Sequence, residues 1–473
     1  MYVAYQENGH TSKNGKEVFF ETSRSGTLDQ DRVNFIKVSE EQYEDSQKRY
    51  NKRKIPFERL STFLVEAFLP EGYPDSVSDD YLAYQIWDTV QAFASSISGS
   101  LATKAVLEGV GVGDENATSL AATITWLLRQ GAGMIGQILF TWVKGSDLDH
   151  NCKRWRLFAD VLNDSAMCLE LSGPLWPSFI LQYVLCFASV SRSLVGVAGG
   201  ATRTAVTQHQ ARAGNISDVS AKDGSQETLV NLVALIVNLI ILPLISENIS
   251  LTWSLFFSLT ILHLFANYKA VSSLCFDSLN KDRLIMVLNS YELNNREKVD
   301  SPKAVNKKEN VFIGCGLNDS DLFKYGDRGE LKKIKENSNC VKINLGVSFE
   351  SVLNFHGCNM SLDNQILKQI QRQLISYNFA IVPWFDRINN VNEYKILLSK
   401  GFDAKDLLHA YFVAYKKARH LLVERCDDAF DDCYRKEFIN FQQKVVEAGW
   451  NIGHLQLSTH GFTGKFSQPK KDI

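Results

Sequence analysis

The chain is short of cysteine patterning: nine cysteines among 473 residues, an odd number scattered from Cys152 to Cys433, never spaced as CxxC. That argues against a zinc ribbon and against a disulfide framework, so a reducing compartment is the expected setting. A charge excess of one sign is also missing, since 51 Lys and Arg stand against 53 Asp and Glu. Without a basic field, nucleic-acid binding has no electrostatic support. The first sixty residues hold no long apolar run and carry Glu7, Glu17, Glu21, Asp29 and Asp31, which speaks against a cleaved secretory signal and an acid-poor transit peptide. No repeat with the period of a solenoid is present.

What is present is unevenly distributed. Residues 1–55 are polar and charged, ending in QKRYNKRK, and read as a flexible or surface segment. Residues 56–290 are rich in uncharged apolar runs, 291–339 form a charged linker, and 340–473 return to a mixed pattern. The expected fold is mostly α: a multi-helix, membrane-embedded domain followed by a small α/β C-terminal domain.

The membrane expectation rests on two adjacent runs. Between Glu227 and Glu247 lie nineteen uncharged residues, TLVNLVALIVNLIILPLIS, and between Glu247 and Lys269 another twenty-one, NISLTWSLFFSLTILHLFANY. Each is long enough for a hydrocarbon layer of ~30 Å, which takes about 20 helical residues. Their apolar residues cover every helix face, as helices with apolar surroundings require. A third run, Leu171 to Ser191, is uncharged and contains Pro174 and Pro177, which suit a first helical turn. Segments 117–143 and 81–107 are long enough but carry Arg129, and Asp88 with Lys104; such groups must face a partner helix or an aqueous cavity, or the helices lie flat.

If the two pure runs form a hairpin, Arg203, Arg212 and Lys222 flank one outer end and Lys269, Lys281 and Arg283 the other, so that side is expected to be cytoplasmic with Glu247 at the far tip. A single span at 171–191 would then put Lys144, Lys153, Arg154 and Arg156 on the opposite side, against the rule. A re-entrant or surface-lying segment resolves the conflict.

The stretch RQGAGMIGQ holds a literal GxGxxG at Gly131, Gly133 and Gly136. A dinucleotide loop needs a strand ending at the first glycine, so that a helix begins at the pyrophosphate. The preceding ATSLAATITWLLRQ reads instead as a continuing helix, so the glycines are expected to be a notch where helix backbones approach closely. GVAGGATR, Gly196 to Arg203, matches no Walker pattern, and GVGVG, Gly109 to Gly113, reads as a loop.

The polar stretch from Thr202 to Leu232 enters the strongest apolar run directly. Asp223 and Gln226 have the spacing of a capping box, and Glu227 suits a first turn. Beyond that plain structural role, Arg203, His209, Asp218, Lys222, Asp223 and Glu227 are dense enough to be candidate ligands of a polar solute or ion beside the spans.

Several segments carry a family resemblance: FLPEGYPDSVSDDYLAYQIWDTVQAFASSISGSLATKAVLEGVGVG, WRLFADVLNDSAMCLEL, VGVAGGATRTAVTQHQA and NISDVSAKDGSQETLVNL. Over roughly residues 57–285 they resemble the root UV-B-sensitive (RUS) family, with a weaker continuation beyond. The resemblance implies membrane association and, in plants, links to plastids, seedling development under UV-B and vitamin B6 homeostasis. It implies no catalytic mechanism.

In the last third, CVKINLGVS and FAIVPWF read as strands separated by a helix whose Leu362, Ile366, Ile370 and Leu374 recur every four residues. A second long helix is expected to be capped at Asp403. On it His409 and His420 lie about three turns apart, but with no third ligand His409 is expected to be packed in the core and no metal site is expected. No nucleophile and base pair can be named, so an enzyme is not expected, and no cofactor is assigned.

Three functions remain open in this order: a multi-pass protein of an intracellular membrane that binds or passes a small polar solute; a membrane scaffold recruiting a protein partner through its C-terminal α/β domain; and an enzyme binding a phosphate or pyridoxal ligand. The last would need GVAGGATR at a helix N-terminus. The expected partners are a lipid membrane, a small polar ligand, and a protein partner or family paralogue, not nucleic acid.

Overall fold

The structure is a computed structural model that describes residues 2–6, 18–21, 33–37, 63–110, 119–245, 248–317, 341–353, 364–386, 391–423 and 431–464. Its contacts divide into two units, the first comprising 1–137 and 159–273, the second 138–158 and 274–473.

Within the polar N-terminal segment three short strands, β1 (Tyr2–Gln6), β2 (Val18–Glu21) and β3 (Val33–Lys37), form an antiparallel sheet in the order β1-β3-β2. YVAYQ, VFFE and VNFIK are rich in β-branched and aromatic residues, which suit a pleated ladder even when too short to register as apolar runs.

The rest of the first unit is helical. After a short turn of helix at 63–68, α1 (Tyr81–Gly109) is followed by α2 (Ser119–Lys144), α3 (Cys152–Leu171), α4 (Ser178–Gln210), α5 (Ile216–Ile245) and α6 (Ile249–Ser273), the end of α2 from residue 138 and the start of α3 to residue 158 being counted with the second unit. Helix α1 packs against α5 and α6 through small residues and aromatics. Ala102 and Ala105 join Leu101, Met167, Leu171, Ile245 and Phe256 in one buried cluster, and Trp87 meets Phe265 edge-on at 5.8 Å. Asn238 Nδ2 also donates to Ser100 Oγ at 2.8 Å, a polar tie across the α1–α5 contact.

Among the described residues three helices are long and apolar enough to cross a membrane: α4, α5 and α6. Their most apolar windows are only 22, 17 and 22% buried, so most of their large apolar side chains point away from protein. Leu239, Ile240 and Leu244 on α5 and Phe257, Ile261 and Phe265 on α6 are exposed. Leaving a side chain of that size in water forfeits about 1.5–3 kcal/mol of transfer free energy.

Three expectations change in detail. The third apolar helix is not 171–191: a 3₁₀ turn at Gly173–Leu175 interrupts the chain, Pro177 caps α4, and α4 then runs unbroken to Gln210. Helix α5 begins at Ile216, directly after Gly214 turns the chain at φ +70°. Asp223 and Gln226 therefore lie inside α5 rather than at a capping box, and Asp218 occupies the first turn. The hairpin tip at Glu247 lies outside the described residues, as do most of GVGVG and of the linker from 318 onward.

The GxGxxG stretch sits inside α2, as the notch reading requires. A Cβ placed at Gly133 would lie 2.6 Å from Ser193 Oγ, and one at Gly136 2.7 Å from Val190 Cγ1, so α4 occupies the space that side chains would need. GVAGGATR lies within α4, where each amide donates along the helix, and so the helix-N-terminus condition for a phosphate loop is not met.

The second unit holds the α/β part, in which the short strand β4 (Ser278–Asn280) pairs in parallel with a strand at Asn451–Gln456. Strands β5 (Val341–Leu345), β6 (Phe379–Asp386) and β7 (Val391–Leu398) form a sheet in the order β5-β7-β6, with β5 parallel and β6 antiparallel to β7. β7 was not expected; it separates the two predicted strands, so they are not a simple β-α-β pair. Between β5 and β6 runs a helix at Asn364–Tyr377, and after the sheet come helices at Ala404–Val423 and Asp431–Glu447. Leu408, Tyr411, Phe412 and Tyr415 of the first of these pack with Ile343, Ile396 and Phe441 and with Leu284, Leu288 and Tyr291 of the helix Lys281–Leu293. The expected cap is present: Asp406 N donates to Asp403 Oδ1 at 2.8 Å, and Asp403 N to Asp406 Oδ2 at 3.1 Å. His409 is half-buried at the edge of that core, stacked on Phe438 at 4.2 Å. The side chain of His420 lies outside the described residues.

Candidate functional site

Polar residues at helical spacing line the inside of the first unit. On α1, Gln91 and Ser95 are one turn apart; on α6, so are His263 and Asn267; α3 carries Asn163, Asp164 and Glu170 at offsets of three, four and ten from Asp160, which keep them on neighbouring faces. These three helices meet along that seam.

Near one end of the seam, His263 Nδ1 lies 2.8 Å from Asp164 Oδ2 and its Nε2 lies 3.1 Å from Gln91 Nε2. An amide nitrogen only donates, so the imidazole Nε2 accepts and the ring proton sits on Nδ1, facing Asp164. Gln91 Nε2 also donates to Asp160 Oδ2 at 2.8 Å, and Asn267 Nδ2 donates to the same oxygen. Among the described residues Asp164 Oδ1 and Asn267 Oδ1 are buried without a hydrogen-bond partner. An unfilled buried acceptor of this kind costs about 1–3 kcal/mol, which a bound water, proton or solute would offset.

At the other end, Glu170 is almost fully buried between two arginines. Arg192 Nε lies 3.1 and 3.0 Å from its two carboxylate oxygens, and Arg129 Nη2 donates to Oε1. Arg192 Nη1 reaches Asn163 Oδ1 at 3.3 Å, and Asn163 Nδ2 donates to Ser95 Oγ at 3.3 Å, which carries the Glu170 end across to α1. Arg129, foreseen as an ionisable group that must face a partner helix, does so. Among the described residues no group of three or more His, Cys, Asp and Glu could hold a metal ion.

The six residues singled out from the sequence are brought together elsewhere, where the last turns of α4 meet the first turns of α5 and the segment 63–80. Arg203 Nε donates to Asp223 Oδ2 at 2.7 Å and Arg203 Nη1 lies 2.7 Å from Glu227 Oε2. Asp223 Oδ1 also accepts from Gln85 Nε2 at 3.2 Å. His209 Nε2 is 2.9 Å from Asp80 Oδ2, with both side chains buried. Asp218 accepts from the amide of Glu71 at 2.7 Å, and Lys222 donates to the carbonyl of Glu66. Gln226 adds a bond to the carbonyl of Phe68 at 2.6 Å, so α5 clamps an otherwise irregular segment whose backbone groups need partners. Every one of the six engages another protein group, and all precede the uncharged stretch of α5.

Sequence reasoning passed over the seam itself. The signal was available in WRLFADVLNDSAMCLEL, whose Asp160, Asn163, Asp164 and Glu170 recur at helical spacing, but the matching Gln91, Ser95, His263 and Asn267 are single polar residues in long apolar runs. Only their meeting marks them.

A pocket of about 120 Å³ opens at the ends of α1, α5 and α6, lined by Leu101, Lys104, Glu108, Leu171, Leu242 and Trp253 among others. It is mainly apolar and holds none of the seam's charged groups.

Three long helices with exposed apolar faces beside a buried polar seam are compatible with a membrane protein. Residues 56–295 match the family model described as the vitamin B6 photo-protection and homoeostasis domain. The chain belongs to that family, the RUS family. It is 40% identical over 372 residues to RUS family member 1 of Dictyostelium discoideum, covering 78% of this chain and 65% of that protein. It is 44% identical over 249 residues to protein root UVB sensitive 3 of Arabidopsis thaliana, covering 53% of this chain and 56% of that protein. With protein root UVB sensitive 6 of Arabidopsis thaliana identity is 30% over 419 residues, 86% of this chain and 78% of that one. The chain thus spans less than two thirds of the length of the first two relatives. No solved structure is significantly similar to it.

Proposed function

We propose that this chain is a multi-pass protein of an intracellular membrane that binds or passes a small polar solute, with no catalytic step of its own. The observation that carries this reading is the contrast within one unit: α4, α5 and α6 leave about four fifths of their most apolar windows unburied, while Glu170, Asp164 and His263 are buried among them. Ionisable groups at such depth are costly unless they serve a path or a ligand. The family name points to vitamin B6 vitamers as the first solutes to try. On this reading the solute meets the seam, and the Arg203–Asp223–Glu227 cluster with His209, Asp218 and Lys222 holds the mouth of α4 and α5 together.

The scaffold reading draws on one fact, that all six of those residues are engaged by protein groups and leave the polar loop well satisfied. It assigns recruitment of a protein partner to the second unit, which has its own core.

Two measurements test the proposal. Alkaline carbonate washing of membranes should leave the chain in the pellet; release as a folded soluble protein overturns the membrane reading. Proteoliposomes should then take up or retain labelled pyridoxine or pyridoxal above protein-free liposomes, and Asp164→Asn should reduce this at equal protein incorporation. Equal retention by both kinds of liposome overturns the solute reading for these vitamers and favours the scaffold.

A further inference from the structure

The end of the seam at Glu170 is short of negative charge. Two guanidiniums, Arg129 and Arg192, converge on a single carboxylate, and the remaining partner of Arg192 is the neutral Asn163. Counting these three groups alone, the sum is one positive charge in excess, set between α2, α3 and α4. Donor counting gives the same answer. A guanidinium has five N–H donors. Arg192 uses Nε, Nη1 and Nη2, whereas Arg129 uses Nη2 alone, toward Glu170. Among the described residues its Nε and Nη1 have no protein acceptor. Both guanidiniums are reachable, Arg192 with its side chain 35% exposed and Arg129 18%, while Glu170 is 3% exposed beneath them.

We infer that Arg129 and Arg192 form a binding site for a phosphate group. An uncompensated charge inside an apolar helical set calls for a counter-anion. Two forked donors that approach one point from different helices suit a tetrahedral oxyanion better than a spherical halide, because each fork can hold two oxygens. Glu170 is the positioning residue: it holds both forks in place and, by taking one positive charge, leaves the site weak enough to release its anion. The inference deepens the proposed solute reading by naming an anionic phosphate as the class of solute. The same chemistry is offered by a free phosphate or phosphate monoester and by a lipid headgroup.

The test uses the full chain in nanodiscs of phosphatidylcholine, titrated with inorganic phosphate at constant ionic strength and followed by calorimetry and thermal unfolding. Saturable binding is expected. Arg129→Gln and Arg192→Gln should each weaken it by about tenfold or more, the scale of losing a charged hydrogen-bonded fork. Glu170→Gln should tighten it several-fold, since it doubles the excess charge. A merely structural ion-pair cluster predicts the opposite pattern: lowered unfolding temperature in all three variants and no phosphate response in any, wild type included. That result overturns the site. Should Glu170→Gln fail to fold, Arg129→Lys and Arg192→Lys keep the charge and lose the fork; binding weakened but retained supports the site, and unchanged binding overturns it. Discs containing phosphatidic acid separate the sources: competition with phosphate assigns the site to a headgroup, and its absence to a free phosphate. Alkaline extraction is independent of this series, so release of the chain by alkali together with the expected charge dependence would sink the membrane reading and leave the site standing.

Discussion

Gly136 on α2 sits directly against Val190 on α4: a Cβ built on the glycine would lie 2.7 Å from Val190 Cγ1, closer than real carbon atoms approach. Gly131, five residues earlier on the same helix, faces open space. The literal GxGxxG therefore divides into one glycine that is indifferent to a side chain and two that are not.

Gly136→Leu should accordingly destabilise the first unit by about 1–3 kcal/mol or more, the usual cost of overpacking. Gly131→Ala should be neutral or stabilising by up to about 1 kcal/mol through helix propensity. Thermal unfolding of the two variants in the same detergent checks the contrast. Equal loss in both would mean that the helix contact is not where the structure has it.

Glu309 is buried against Arg283 Nε at 3.0 Å, Lys153 Nζ at 3.1 Å and Asn280 Nδ2 at 2.9 Å. Burial works to raise its pKa, but Arg283 and then Lys153 outweigh it and hold the carboxyl down at about 2. A folded-state pKa below the unfolded one contributes stability above the ordinary carboxylate range, and that contribution is lost as pH falls from there toward 2. Glu309→Gln should cost about 3–5 kcal/mol near neutral pH, because it strands two buried cations. The variant should also lose less further stability than the wild type between pH 4.5 and 2, read by denaturant unfolding at each pH.

His409 behaves in the opposite sense. Burial, with Arg435 adding to it, lowers its pKa to about 4, so the fold holds it neutral against Phe438. The unfolded chain takes up the proton first, and stability should fall as pH drops from about 6.5 to 4. His409→Leu should flatten that part of the pH profile. A profile identical to the wild type's would show that His409 titrates normally.

The Arg203–Asp223 pair is partly open to solvent, and its worth should be correspondingly small. A double-mutant cycle with Arg203→Gln and Asp223→Asn should return a coupling of about 1 kcal/mol or less. If either single variant instead abolishes solute retention in proteoliposomes while folding normally, the six residues between Arg203 and Glu227 are ligands rather than a clasp.

Much of the fold was legible along the chain because its causes are local. Nineteen and twenty-one uncharged residues on either side of Glu247 make long apolar helices whatever surrounds them, and ATSLAATITWLLRQ marks α2 as continuous before any neighbour is known. Asp403 caps the helix that follows it by a bond reaching three residues. Boundaries were less legible where a turn competes with a helix. Gly214 starts α5 at Ile216, seven residues before the capping box read from Asp223 and Gln226, and Pro177 starts α4 beyond the turn at Gly173. The strand Val391–Leu398 pairs with the neighbouring β6, but its central place in the sheet depends also on β5, whose residues lie 51 positions earlier.

By itself, then, the sequence determined the helical apolar unit and the family, since hydropathy, motif order and short-range capping are properties of neighbouring residues. Only the tertiary structure decided which polar groups share an address. His263 and Asp164 are 99 residues apart and Arg129 and Glu170 are 41 apart, yet each pair is in hydrogen-bond contact. A lone charge in an apolar helix has many partners it could choose, and the choice is made by helix packing, which brings distant faces together and carries no trace in local composition.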